Sequence, residues 1–477
     1  MLAGKCRGLA SDLDRLLAEV LDEIRPTEEE RLEALAIYEG IRRVIEENLR
    51  LPYEYTVELH GSVAKGTELR GNIDLDVFIL IRYEDISREW LEGEVVRPLL
   101  DVLRKTYGGV KLRYAAHPYI HIYLGRHEVD IVPAYWARDV SEIRTPVDRT
   151  PFHTRYVVER LTDRARDGVR LLKAFFKSLG IYGAEIKVEG FSGYLTELLV
   201  LKYGGFVETL KAMAGWRYGE VVIVNENTGV RDHGYLRRLF RSPLIVPDPV
   251  DPTRNAASAV SAESLARAVL ASNAFLLNPS RRYLLASATR PPETSVDSAC
   301  RSIEETGRGV VGLVLKLSGQ AAPDVFWGKV KSIGRALLNY LQRSGFSVVS
   351  YAAWSDEVSE AVLMVTVLPR ELPAYEKHPG PPLGMVRDLR SFVSKYLGGE
   401  ALGPYVDPDG RVFTLRRRRH TLPHQVVEEY VTSLKGDRNV SAVAVLRDLG
   451  ELCGYVKSRG DPELVELFRR ASKLELV

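Results

Sequence analysis

Cysteine is nearly absent from this chain. Its three cysteines, Cys6, Cys300 and Cys453, lie far apart in 477 residues and show no metal-ligand spacing. So sparse and odd a set speaks against a disulfide framework and for a reduced, cytoplasmic protein in which all three are small buried apolar residues. Long hydrophobic runs are missing as well. No segment is apolar enough to cross a bilayer, and the N-terminal stretch, with Asp12 and Asp14 early, lacks the apolar core and small-residue cleavage site of a secretory leader, so no membrane partner is expected. Charge of one sign is also lacking: 66 Lys and Arg against 64 Asp and Glu leave a net charge of +2. A nucleic-acid binder needs a basic surface only where it makes contact, so this balance permits such a partner without indicating one. Methionine and glutamine are scarce while Arg and Glu are frequent, which leans towards a thermophile. Internal repeats and low-complexity tracts are absent.

What is present is the length of about three domains with an ordinary globular composition. Two helices open the chain, from about Ser11 to Ile24 and from an N-cap at Thr27, with Glu30 three residues on, to about Asn48. The period then changes from helical to alternating. Strands are predicted at Tyr55 to His60, Ile73 to Ile81, Val110 to Tyr114, Ile120 to Leu124 and Glu128 to Val132. Helices followed by a mixed sheet define an α+β unit over 1–150. A mostly helical region follows over 151–275, with stripes at Asp163 to Leu179 and Gly193 to Leu210, a Pro-rich loop at Val246 to Pro252 and a helix at Ser261 to Phe275. From 276 to 477 strands mix with helices: a strand at Val310 to Leu317, a helix at Val330 to Ser344, strands at Ser347 to Ala353 and Ala361 to Leu368, and a last helical region from Pro423 to the C-terminus.

The chemistry concentrates in one segment. Leu59-His60-Gly61-Ser62-Val63-Ala64-Lys65-Gly66-Thr67 precedes Asn72-Ile73-Asp74-Leu75-Asp76-Val77-Phe78. In a strand Asp74 and Asp76 project on the same side, about 6–7 Å apart at the backbone. Two anions held so close call for a cation between them. A hard divalent ion with oxygen ligands suits them, and phosphoryl or nucleotidyl transfer is the chemistry that uses such an ion. The Gly-Ser turn lets the backbone approach a phosphate at Gly61 and offers the Ser62 hydroxyl, and Lys65 adds a positive charge. A third carboxylate is expected from a neighbouring strand, where Asp130 lies in Val129-Asp130-Ile131-Val132. An Asp-x-Asp by itself is ordinarily a solvated strand face; the turn, the β-type flanks and the third strand aspartate together make the functional reading.

Gly61-Ser62, eleven residues and Asp74-Leu75-Asp76 resemble the signature of the DNA polymerase β nucleotidyltransferase superfamily. Longer blocks are similar to the class I, archaeal-type CCA-adding enzymes that act on transfer RNA. These are Gly61 to Thr67, His117-Pro118-Tyr119, Val147 to His153, Ile181-Tyr182-Gly183-Ala184-Glu185 and Phe191 to Leu199, over roughly 59–260. The resemblance implies a polymerase β-like head with a mixed sheet over 1–150, a helical central domain completing the nucleotide pocket over 151–275, and an α+β RNA-binding region over 276–477. It implies two Mg²⁺ ions on Asp74, Asp76 and Asp130, with Asp130 assisting deprotonation of the RNA 3′-hydroxyl. Ser62, Lys65, Lys173 and Tyr182 would hold the triphosphate of CTP or ATP, with Thr150 and His153 nearby, and Arg254 would lie against the base. Two departures stand out: Asp74 where the family also uses Glu, and Lys65 where Arg is common.

Each of these residues has a plainer use. Lys173 on an amphipathic helix is ordinarily solvated, Tyr182 beside Gly183 could close a turn, His153 could cap a helix and Arg254 could pair with Asp251. On the RNA side, duplex is read through phosphates and 2′-hydroxyls, so basic clusters are expected rather than a base-reading motif. The run Arg416-Arg417-Arg418-Arg419 is the strongest, and a solvated surface run is its alternative. The expected partners are nucleoside triphosphates and the tRNA 3′ end and acceptor stem, and a homodimer is compatible with this reading. A poly(A) polymerase, a non-catalytic RNA-binding protein on the same fold and a small-molecule nucleotidyltransferase remain as alternatives.

Overall fold

The computed structural model describes residues 2–71, 73–82, 87–114, 118–225, 232–285, 295–317, 323–434 and 440–476. Asn72 and His117 of the motifs above lie outside the described residues. The chain divides into two compact units, 1–290 and 291–476.

The first unit opens with helices α1 (Leu2–Ile24) and α2 (Glu28–Asn48). Thr27 and Glu30 form the expected capping box, each side chain bonding the other's backbone N–H. Strands β1 (Tyr55–His60), β2 (Asp74–Ile81), β3 (Val110–Tyr114), β4 (Pro118–Leu124) and β5 (His127–Tyr135) build one sheet in the order β1-β2-β5-β4-β3. β2 and β5 run parallel and the other pairs antiparallel, the predicted mixed sheet. Alternation decides its faces. Leu75, Val77, Ile79 and Ile81 pack with Val129 and Ile131 against Ala34, Tyr38, Ile41 and Ile45 of α2 and against Leu99 and Leu103 of the helix Arg97–Thr106. Asp74, Asp76 and Asp130 are left on the opposite face. The Gly-Ser pair is not a turn: Gly61 and Ser62 begin a short helix, α3 (Gly61–Lys65), ended by Gly66 in the left-handed region.

Helices Thr150–Val158, Asp163–Ser178, Gly193–Tyr203, Phe206–Met213 and Ala262–Leu277 complete this unit, with a two-residue parallel pair β6 (Glu220–Val221) and β7 (Leu244–Ile245). The single helix expected from Gly193 to Leu210 is broken at Gly204, whose φ of 88° terminates the first of two helices.

In the second unit β8 (Gly309–Leu317), β9 (Ser347–Ser355), β10 (Glu360–Leu368) and β14 (Val440–Leu446) form an antiparallel sheet in the order β14-β8-β10-β9. Helices Pro323–Arg343 and Pro423–Leu434 cover one face; Ser295–Glu305, Leu449–Arg459 and Pro462–Lys473 cover the other. A second sheet, β11 (Tyr375–Pro379), β12 (Leu402–Val406) and β13 (Val412–Arg417) in the order β11-β13-β12, carries the helix Val386–Tyr396.

Two further expectations are overturned in the second unit. The stretch from Pro423 to the C-terminus is not wholly helical, because β14 pairs with β8. The Val-Ala run of Val440 to Leu446 has the length and branching of a strand, and only its pairing reveals it. The cysteines are not all reduced either, since Cys300 and Cys453 form a disulfide. The helices that carry them cover the same sheet face and bring their Cα atoms to 6.5 Å, within disulfide reach, although 153 residues separate them in sequence.

Titration of thiols in denaturant without reductant should therefore find one free thiol per chain, and three after reduction. Cys300→Ser should lower the stability of the second unit by about 2–5 kcal/mol, read by chemical denaturation. Three thiols in the unreduced protein would contradict the bond.

Candidate nucleotidyl-transfer site

The site is assembled on the uncovered face of the first sheet. Asp76 of β2 is the register partner of Asp130 on the parallel β5, and Asp74 is the partner of Glu128. Burial pushes the Asp76 carboxyl up from its usual 3.8 to about 6, and the neighbouring charge of Asp130 adds to this while Lys65 opposes it. Asp74 is raised as well, by burial first and then by Glu128, with Lys177 opposing. Gly61, at φ +67°, stands against this pair: a Cβ there would lie 1.8 Å from Asp76 Oδ2. The glycine makes room for a carboxylate of the following strand, a closer reason than phosphate approach.

Crowded oxygen donors with raised carboxyls are the chemistry a hard divalent cation relieves, so the donor set fits one. Among the described residues no three His, Cys, Asp or Glu side chains close on a common point. Asp130 turns its Oδ1 to His121 Nδ1 at 2.6 Å instead.

A single helix, Asp163–Ser178, grips the backbone that follows α3. Arg166 Nε donates to the Lys65 carbonyl at 3.1 Å, Arg170 to the carbonyls of Gly66 at 2.6 Å and Glu68 at 3.0 Å, and Lys173 Nζ to that of Thr67 at 2.9 Å. Lys173 is therefore no solvated lysine. Burial pushes its ammonium down to about 8, against the attraction of Glu197. Lys65 is buried too, its Nζ 2.8 Å from Glu197 Oε2, and Thr67 donates to Glu197 Oε1 at 2.7 Å. Tyr182 is held well above the usual tyrosine range by burial. Its hydroxyl lies 3.1 Å from where a Cβ of Gly193 would stand, with Lys173 Nζ 4.0 Å from the same point. Lys65, Lys173 and Tyr182 thus converge, joined by Thr67 and Glu197.

A second knot lies beside it. His153, inside the helix Thr150–Val158, stacks on Tyr194 with ring centroids 3.8 Å apart. Its Nε2 and the Tyr194 hydroxyl each sit 2.9 Å from the carboxylate of Asp248. Burial works against the charge of Asp248, but hydrogen bonds from His153, Val250 N–H and Tyr194 outweigh it and keep the carboxyl low. Burial in turn holds His153 below its usual value, against the pull of Asp248. Arg254 reaches Asp248 Oδ2 at 3.4 Å rather than Asp251, which binds Arg149 Nε at 3.0 Å. Thr150 begins the His153 helix and is half-buried.

Sequence reading missed Glu197, Tyr194 and Asp248. Glu197 lies in a run that otherwise reads as apolar core, and Asp248 in a Pro-rich loop; an acid in either setting was the available signal. It also missed the face beyond Asp130, where Tyr119, His121 and Tyr123 of β4 alternate with core residues and face Lys111 and Arg113 of β3. Arg113 donates to the Tyr123 hydroxyl at 2.7 Å, and Lys111 lies 5.1 Å from the Tyr123 ring. In the second unit the arginine run emerges from β13. Arg416 and Arg418 bind Glu376 at 2.5 and 2.9 Å, Arg419 pairs with Glu429, and Arg417 is exposed.

A parallel strand pair presenting two or three carboxylates beside a glycine-led short helix, with buried lysines behind it, is a nucleotidyltransferase arrangement. In keeping with this, residues 41–153 match the nucleotidyltransferase domain model, and residues 167–285 match the second domain of tRNA nucleotidyltransferase. Residues 308–443 match the C-terminal domain of CCA-adding enzymes. A CCA-adding enzyme of Pyrobaculum neutrophilum is 38% identical over 416 residues, 86% of this chain and 92% of the relative. Those of Pyrobaculum islandicum and Saccharolobus shibatae are 37% and 35% identical, covering 90% and 84% of this chain and 96% and 88% of their own lengths. The chain belongs to the CCA-adding enzyme family. Among the described residues no helix is long and apolar enough to cross a membrane.

Two outcomes follow from the geometry. Gly61→Ala should displace the Asp76 carboxylate and lower nucleotidyl transfer by at least about 10²-fold, with a stability loss of only about 1–2 kcal/mol for the left-handed backbone; unchanged activity would show that the contact is dispensable. The raised carboxyl of Asp76 favours the metal-free fold at low pH, and that contribution is lost as pH rises from the usual 3.8 through about 6. A divalent ion held by this carboxylate would compete with the same proton, so any rise in Tm on adding Mg²⁺ should be full above pH 7 and shrink below pH 6. Asp76→Asn should reduce this pH dependence to the part that Asp74 carries.

Proposed function

We propose that this chain extends the 3′ end of tRNA by C, C and A, taking CTP twice and ATP once without a nucleic-acid template. The observation that carries the reading is the Asp76–Asp130 register pair with Gly61 packed on Asp76, in a chain alignable with CCA-adding enzymes over most of its length. The RNA 3′-oxygen attacks the α-phosphorus, the bond to the β-phosphate oxygen breaks, and pyrophosphate leaves with both bonding electrons. Asp130, beside His121, is the acceptor we assign to the hydroxyl proton. Asp74, Asp76 and Asp130 would hold Mg²⁺, two ions in this reading, which would supply charge neutralisation at the reacting phosphate.

Gly61, Ser62, Lys65, Lys173 and Tyr182 are assigned to the triphosphate, with Thr150 and His153 at its side. Arg254, tethered by Asp248, is assigned to the base. Tyr119, Tyr123, Lys111 and Arg113, on the carboxylate face beyond Asp130, suit the RNA terminus, since aromatic rings stack on bases and cations meet phosphates. The division of labour is a catalytic head over 1–150, a helical domain over 151–275 and a tRNA-binding region over 276–477. In the last of these the Arg416–Arg419 run offers Arg417 to backbone phosphates, while Glu376 and Glu429 hold its neighbours. A cytoplasmic enzyme, with a homodimer as its assembly, is the corresponding setting.

Purified protein with Mg²⁺, labelled NTPs and tRNA lacking its CCA end should add two C and one A and then stop. Asp74→Ala should reduce this by at least about 10³-fold while leaving the fold intact by circular dichroism. Open-ended A addition would replace this reading with a poly(A) polymerase, and binding without incorporation would leave an RNA-binding protein.

A further inference from the structure

Nucleotidyl transfer as written above has no use for the acid at the centre of the pocket. Glu197, in the helix Gly193–Tyr203, is 1% exposed. Its two oxygens are taken by the Lys65 ammonium at 2.8 Å and the Thr67 hydroxyl at 2.7 Å. Lys173 reaches the same Thr67 hydroxyl at 3.2 Å. Two buried ammonium groups therefore converge on one carboxylate, the first directly and the second through a hydroxyl. A carboxylate in this position takes the same donors that the oxygens of a polyphosphate would take. An ammonium has three protons, so Lys65 can keep Glu197 and still donate to a phosphate, but the pull of its charge is then shared between two anions.

We propose that Glu197 is a positioning residue and the internal counter-anion of this pocket. It holds Lys65 and Thr67 in place before nucleotide arrives, and it limits how tightly the site grips a polyphosphate, both on the incoming nucleotide and on the pyrophosphate that leaves. The proposal rests on the nucleotidyl-transfer reading of the site. An enzyme that adds residues one after another must discharge pyrophosphate from this pocket after each. Two buried ammonium groups without a counter-anion would bind substrate and product more tightly alike, which lowers KM without raising turnover.

Calorimetric titration of the full chain with inorganic pyrophosphate and Mg²⁺ tests this without RNA or nucleotide. Glu197→Gln keeps the shape and removes the charge. The Kd for pyrophosphate should fall about tenfold, the KM for CTP and ATP should fall in parallel, and kcat should drop as product leaves more slowly. Glu197→Asp should restore all three most of the way. Glu197→Gln also leaves a buried ammonium without its anion and can weaken the fold. The companion variant is therefore Lys65→Met/Glu197→Gln, whose Kd should lie clearly below that of Lys65→Met alone, because Lys173 is then relieved of the same anion. An unchanged or weaker Kd in Glu197→Gln overturns the proposal, as does a double variant that binds as weakly as Lys65→Met alone. Failure of the wild type to incorporate nucleotide, with the pyrophosphate shift intact, would sink the nucleotidyl-transfer reading and leave the counter-anion standing.

Discussion

Three basic side chains on one helix hold the site together. Arg166, Arg170 and Lys173, spaced four and three residues apart, lie on one face of Asp163–Ser178 and donate to the carbonyls of Lys65, Gly66, Thr67 and Glu68. The N–H groups of Gly66 and Thr67 turn back to α3 and that of Arg70 to α1, and the three side chains supply donors to the carbonyls of the same segment. Charge-assisted bonds of this kind contribute about 1.5–3 kcal/mol each. They fix α3, α3 fixes Gly61, and Gly61 sets the space in which Asp76 sits. The carboxylates of the sheet and the cations of the helical region are thereby one construction rather than two facing surfaces.

That construction separates charge by element. The sheet face carries Asp74, Asp76, Glu128 and Asp130, where burial first and the neighbouring acids second raise Asp74 and Asp76. The helices opposite carry Lys65's partner Glu197 together with Lys173, His153 and Tyr194, and the loops beside them carry Tyr182 and Asp248. Acids crowd on the sheet face, while opposite it each buried acid is matched by donors, Glu197 by Lys65 and Thr67 and Asp248 by His153 and Tyr194, a disposition that suits a metal–polyphosphate complex. Such an arrangement does not maximise the stability of the empty protein, since raised carboxyls and a depressed lysine both mark ionised forms held at a cost.

The sheet was legible because its strands alternate. Leu75, Val77 and Ile79 against Asp74 and Asp76 announce both the fold and the site, and the capping box at Thr27 announces α2. Legibility failed where the deciding partner is distant in sequence. Glu197 reads as one polar residue in an apolar helix, and its meaning comes from Lys65 and Thr67, more than a hundred residues earlier. Lys173 looks like a surface lysine until the Thr67 carbonyl is seen in front of it. The plainer use open to Arg254 in the sequence was a pair with Asp251, its neighbour, but the loop turns it to Asp248. In the second unit β14 was absorbed into a helical stretch, because a seven-residue Val-Ala run carries no period that separates a buried strand from a buried helix. The Arg416–Arg419 run, a uniform cluster in sequence, is divided by Glu376 and Glu429 into paired and exposed members.

The bond between Cys300 and Cys453 closes a covalent ring through which β8, β9, β10 and β14 all pass, together with the smaller sheet. A protease cutting anywhere within that ring would open it without releasing anything, and the nicked chain would still travel as one molecule until a reductant was added. A single cut could detach a fragment outright only outside 300–453. The second unit is therefore tolerant of backbone scission in a way the first, whose site depends on an uninterrupted path from α3 to Glu197, is not.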